Sequence, residues 1–194
     1  MSTYKLEQLV QVIQGSPISR LSQAKEQNKT YNIYNQSAFL YDLNGIENHH
    51  EVFKEVTTSE RSEDELTQVG DIVMSMSTSE VVSISERYAG FILPFNYSKL
   101  KVNDFNIIDP SYLEFWINES SSFLNQSGGT PEKRGRMTIS KLKECQITLP
   151  SIDIQKNAGD LYKANQRILI KQLQKVLLVN KLLAQKTFVE EEND

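Results

Sequence analysis

Cysteine is almost missing from this chain: Cys145 stands alone among 194 residues. No internal disulfide can form, and such scarcity fits a reducing compartment, the cytoplasm. A lone cysteine is usually a small buried apolar residue, which is the expectation for Cys145. Histidine is nearly as scarce, with only the adjacent pair His49 and His50. Without a third histidine or a nearby cysteine, no metal centre is expected there. No apolar run approaches the roughly 20 residues a membrane span requires, and the start lacks the charged-then-apolar pattern of a signal sequence.

The familiar catalytic signatures are absent as well. There is no phosphate-cradling Gly-x-x-x-x-Gly-Lys-Ser/Thr loop, no Gly-x-Gly-x-x-Gly after a strand, no Gly-x-Ser-x-Gly elbow and no His-Glu-x-x-His pair. Asp71 precedes a strand-like run, but Glu80 is followed by Val81 and Val82 rather than by the lysine an acid-plus-lysine metal set needs. Neither catalysis nor a bound cofactor is expected of this chain. Its formal charge of −4 argues against indiscriminate coating of nucleic acid while leaving room for a local basic face.

Proline and glycine thin out where one pattern becomes long. Between Pro150 and Glu191 there is no proline and one glycine, Gly159, while Leu161, Ile168, Leu169, Leu173, Val176, Leu177, Val179, Leu182 and Leu183 recur every three or four positions. That spacing predicts a helix from Ser151 to Val189, about 58 Å long at 1.5 Å per residue. A helix with one apolar stripe must lay it against another helix. Residues Leu161, Asn165, Ile168, Leu169, Gln172, Leu173, Val176, Asn180 and Leu183 form the expected pairing face, with the three polar members fixing its register. The sequence thus divides into a mixed body over 1–150 and a helical arm over 151–194, an α+β chain.

Within the body, Leu6, Leu9, Val10 and Ile13 suggest a short helix or strand before the turn at Gly15-Ser16-Pro17. Aromatic and apolar residues between Lys29 and Leu43 suggest extended structure closed by a turn at Asn44-Gly45. The polar segment from Ile46 to Glu65 reads as solvated surface. Short strands are expected at Ile72–Met74, Val81–Ile84 and Phe91–Leu93. Asp109 and Pro110 are the N-cap and first residue of a helix that sends Leu113, Trp116 and Ile117 into the core. Gln126 to Pro131 reads as a loop, and a short helix follows near Ser140–Glu144.

Lys133, Arg134 and Arg136 follow that Gly-rich loop, and Lys99 and Lys101 are expected to extend their patch. The cluster suits phosphate contacts, although a solvated charge cluster would look the same. Asn32, Asn35, Gln36 and Arg136 are candidates for reading base edges.

The order of several short segments resembles one half of the DNA-specificity subunit of Type I restriction-modification systems. They are Lys5-Leu6-Glu7-Gln8-Leu9 with Gly15, Val69-Gly70-Asp71-Ile72-Val73, Ile108-Asp109-Pro110-Ser111-Tyr112-Leu113, Ile139-Ser140-Lys141-Leu142, and Ile147-Thr148-Leu149-Pro150-Ser151 with Gln155. The resemblance implies a target-recognition domain on a long helix, in a non-catalytic subunit that reads a half-site on double-stranded DNA. It also implies docking onto a methyltransferase subunit that brings the S-adenosylmethionine. Family members usually carry two recognition domains and two helices, so one of each implies a homodimer or pairing with another half subunit. The competing expectation is an interaction or decoy protein that occupies a methyltransferase without reading DNA, a role suited to the net charge and the acidic tail Glu190–Asp194.

Overall fold

The computed structural model describes residues 2–21, 28–47, 52–130 and 133–189. The pair His49 and His50, the residue Pro131 and the acidic tail from Glu190 lie outside the described residues.

The start of the chain is both strand and helix. Strand β1 (Ser2–Lys5) runs into a single helical turn, α1 (Leu6–Leu9), and out into β2 (Val10–Gln14). The Gln8 amide oxygen closes that turn by accepting the Lys5 backbone N–H at 2.8 Å. Leu6 and Leu9 thereby face inward and are buried.

A four-stranded antiparallel sheet fills the centre of the body, in the order β2, β7 (Tyr97–Val102), β5 (Ile72–Ser75), β6 (Val81–Ser83). Both faces are covered, which explains the uninterrupted apolar run at Ile72-Val73-Met74. Ile72 and Met74 join a core with Leu100, Leu113 and Trp116, while Val73 joins a second core with Tyr34, Phe39 and Tyr97. Trp116 is packed edge-on against Phe123, ring centres 5.2 Å apart, as a core residue.

The structure departs from expectation around three segments. Extended structure holds only for β3 (Asn28–Asn32), which pairs with β4 (Glu55–Ser59). The aromatics after it belong to helix α2 (Gln36–Asn44), whose N-cap Asn35 accepts the Ala38 N–H at 2.9 Å and whose end is Gly45 at φ 70°. Asn44-Gly45 is therefore a helix C-cap and not a hairpin turn. Phe91–Leu93 forms only single bridges, from Ile92 to Ile33 and Leu66. The expected loop begins at Gly128, with φ 74°, where helix α4 (Ser121–Ser127) ends; the helix takes only Gln126 and Ser127 from it.

Helix α3 (Pro110–Glu119) begins as its sequence predicts, with the Asp109 carboxylate accepting the Tyr112 N–H at 3.0 Å. Helix α5 (Ile139–Glu144) leads into β8 (Gln146–Leu149), which pairs with β1 and places both ends of the body side by side. Helix α6 (Ile152–Val189) follows directly and is continuous over 38 residues. Among the described residues no helix is long and apolar enough to cross a membrane.

Cys145 is buried between α5 and β8, and that burial pushes its thiol above the usual range, with Glu144 adding to the shift and Lys141 opposing it. Because the thiolate is the reactive form, the folded chain should react with a disulfide reagent at least about tenfold more slowly than the urea-unfolded chain. Equal rates, followed by absorbance of the released thiolate, would contradict this placement.

Candidate nucleic-acid interface and pairing helix

The basic residues singled out in the sequence do not gather into one patch. Lys99 points inward from β7 and its side chain is 6% exposed. Its ammonium lies 2.7 Å from the Asp71 carboxylate and donates to the carbonyls of Leu66 at 2.9 Å and Asp64 at 3.2 Å. All three protons are used inside the fold, which takes Lys99 out of the phosphate set. Lys101, two residues on, is exposed beside Asp64 at 3.1 Å.

Arg134 is an internal fastener. Its guanidinium donates to the carbonyls of Ile117 at 3.1 Å, Ser79 at 3.4 Å and Asn118, and it faces Glu80 at 3.9 Å. Two of those carbonyls sit at the C-terminal end of α3, where helical partners run out and positive charge is favoured. Ser79, at φ 57°, donates its hydroxyl to Gly135, and the Met137 N–H donates to Met76 at 2.9 Å. The basic segment is thereby bolted to the β5–β6 turn. Lys133 and Arg136 remain exposed on it. Lys101 sits at the opposite end of β7, since Tyr97 pairs with Ser75 at the β5–β6 turn and Leu100 with Ile72.

The candidate base readers are also partly engaged. Asn35 caps α2, and Gln36 accepts the Tyr97 hydroxyl at 3.3 Å.

The arm has two faces. One docks on the body. Gln155, 1% exposed, donates to Pro150 and Ile107, each at 3.0 Å, and accepts the Asp109 N–H at 3.1 Å. One turn later Gly159 lets α6 touch the start of α3, and farther along the Tyr162 hydroxyl accepts from Asn118 at 3.0 Å. Tyr162 is buried, which with its carboxylate neighbours Glu114 and Glu119 raises its phenol to about 12, so it stays neutral at ordinary pH. Near residue 170 the arm passes over Gly45, whose carbonyl accepts from Gln174 at 3.4 Å.

The second face lies roughly a third of a turn around the helix, at about 100° per residue. It carries Leu161, Asn165, Ile168, Leu169, Gln172, Val176, Asn180 and Leu183, all exposed. Leu161 is 63% exposed and Leu183 58%. Leu173, expected on the pairing face, lies five whole turns after Gln155 and so on the docking side, where it is half-buried. At the body end this seam opens into a groove lined by Phe115, Tyr162, Leu161, Asn165 and Leu169. The docking residues Asn118, Glu114 and Lys163 were not visible as such in the sequence, because each acquires its role from a partner at least 30 residues away.

Known structures share this fold. The HsdS subunit from Thermoanaerobacter tengcongensis matches with TM-score 0.54 at 14% identity, over 91% of this chain and 43% of that one. The S subunit of a Type I restriction-modification system from M. genitalium matches with TM-score 0.53 at 16% identity, over 95% and 44%. A chain from a structure concerned with complex assembly and conformational transition of the type I R-M system matches with TM-score 0.59 at 12% identity, over 95% and 43%. This chain therefore spans less than half the length of each, and the likeness is one of fold. No curated protein matches the chain in sequence. The family described as Type I restriction modification DNA specificity domain matches residues 1–178. With the body and most of α6 inside that match, the chain belongs to the Type I restriction-modification DNA specificity domain family.

Proposed function

We propose that this chain is a DNA sequence-recognition subunit whose body reads one half-site on double-stranded DNA and whose arm docks a methyltransferase subunit. The arm of a second copy covers the exposed seam, giving a two-fold dimer that reads a split, two-part target. The observation that carries the reading is the second apolar face of α6, left open on a helix whose first face is already docked. Family membership supplies the ligand class.

Phosphate contacts fall to Lys133, Arg136 and Lys101, the exposed members of the basic set. Arg136→Ala should lower the slope of log affinity against log salt by about 1, the value of one lost phosphate contact. Arg134→Ala should behave differently, leaving carbonyls at the end of α3 unpaired and lowering stability to urea by about 2–3 kcal/mol. Filter binding across a salt series and urea melts of both variants check the contrast. Equal effects of the two on the salt slope would put Arg134 back among the phosphate contacts.

The alternative, a chain that occupies a methyltransferase without reading DNA, draws on the charge of −4 and on the internal use of Lys99 and Arg134. It predicts capture of the methyltransferase with no salt-dependent DNA affinity.

A further inference from the structure

Besides the close approach at Gly159, arm and body are joined by hydrogen bonds between uncharged groups, made by Gln155, Tyr162 and Gln174. One cluster differs. Lys163 of α6 forms an ion pair with Glu114 of α3 and donates to the Ser83 hydroxyl at the end of β6 at 2.9 Å. The Ser83 hydroxyl in turn donates to the same Glu114 carboxylate at 2.6 Å. The Glu114 side chain is 7% exposed and the Lys163 side chain 24%. Three elements, a strand edge, a core helix and the arm, are thus joined at one buried carboxylate oxygen, beside an open polar cleft that also holds Asp42 and Arg167.

A buried ion pair adds little net stability over a well-packed apolar substitute, because desolvation offsets attraction. It does impose geometry, since a charge-assisted bond weakens when its donor moves off line. The site is also the place where geometry has leverage. A body of about 150 residues is roughly 35 Å across. Tilting it by about ten degrees on the arm moves its far side by about 6 Å, close to two base-pair steps of about 3.4 Å.

We infer that Ser83, Glu114 and Lys163 are positioning residues that fix the angle of body on arm and, resting on the dimeric DNA reading above, the number of base pairs allowed between two half-sites. Removing the charge frees the angle; keeping it in another shape restores it.

The test uses the full chain in a Cys145→Ser background. Spin labels are placed at Glu60→Cys on the body and Lys186→Cys on the arm, diluted with unlabelled chain. Lys163→Met and Ser83→Ala should broaden the distance distribution, and Lys163→Arg should narrow it again. In parallel, duplexes selected from a randomised pool are rebuilt with the gap between half-sites lengthened and shortened by single base pairs. Lys163→Met should reduce the preference for the best gap over its neighbours by about tenfold, the scale of one hydrogen bond to a charged group. A distribution as narrow in Lys163→Met as in the parent overturns the clamp. So does affinity that falls equally at every gap, the mark of a merely stabilising contact. A parent chain with no preferred gap overturns the dimeric DNA reading instead, while the distances still decide whether the clamp sets the angle.

Discussion

Gly159→Val is expected to lift the arm off the body. In an ordinary helix interior, replacing glycine by alanine stabilises by about 1 kcal/mol. Here a Cβ would stand 2.8 Å from the Ser111 Cβ and 2.8 Å from the Tyr112 backbone nitrogen, with the Asp109 carboxylate at 3.0 Å. Those atoms belong to the capped first turn of α3, which cannot yield without losing its cap. Valine adds two further methyl groups, so the sign reverses and the cost should be about 3 kcal/mol or more, the upper range for overpacking. Because Gln155 lies one turn away and Tyr162 one turn beyond, the strain falls on the polar contacts that seat the arm. Urea melts should show the loss, and limited proteolysis should cut α6 near its root in the variant first. A variant as stable and protease-resistant as the parent would mean that α3 and α6 do not approach each other this closely.

The second large effect concerns the open face. The double substitution Leu169→Glu with Val176→Glu puts two carboxylates where the second arm is proposed to lie. Each would be taken from water without a partner, and together they should weaken association by about a thousandfold or more, or about 4 kcal/mol. Both positions are exposed, Leu169 at 58% and Val176 at 54%, so the folding of a single chain should be nearly unchanged. Light scattering over a concentration series should find dimers for the parent and monomers for the variant. A parent that is monomeric at every concentration would remove the homodimer and leave the seam to a different partner.

The arm was legible because a period of three to four persists from Leu161 to Leu183 without proline, and no tertiary contact is needed to see it. The start of α3 was legible for a similar reason, since Asp109 and Pro110 carry a local capping signal. Helix α2 was not. Its Phe39 and Tyr41 favour strands by propensity, and the decisive features, the cap at Asn35 and the left-handed Gly45, also occur in turns. The strand Tyr97–Val102 was passed over because its alternating lysines read as a basic patch, when Lys99 is the inward partner of an aspartate 28 positions earlier. Arg134 misled in the same way. Its partners are backbone carbonyls on a helix and a turn brought together only by folding. A charged side chain declares its charge in the sequence but not whether water or the interior surrounds it.

Ser2–Lys5 pairs in register with Gln146–Leu149, and α6 begins three residues later at Ile152. Entry to the body and exit from it are therefore neighbouring strands, about 5 Å apart, like the two wires of a plug. A different recognition module with termini that close could be grafted onto the same arm without altering its path. It would have to bring its own flat spot opposite Gly159 and its own acid opposite Lys163. Interchange of modules is thus permitted by the pairing of β1 with β8 and limited by those two contacts.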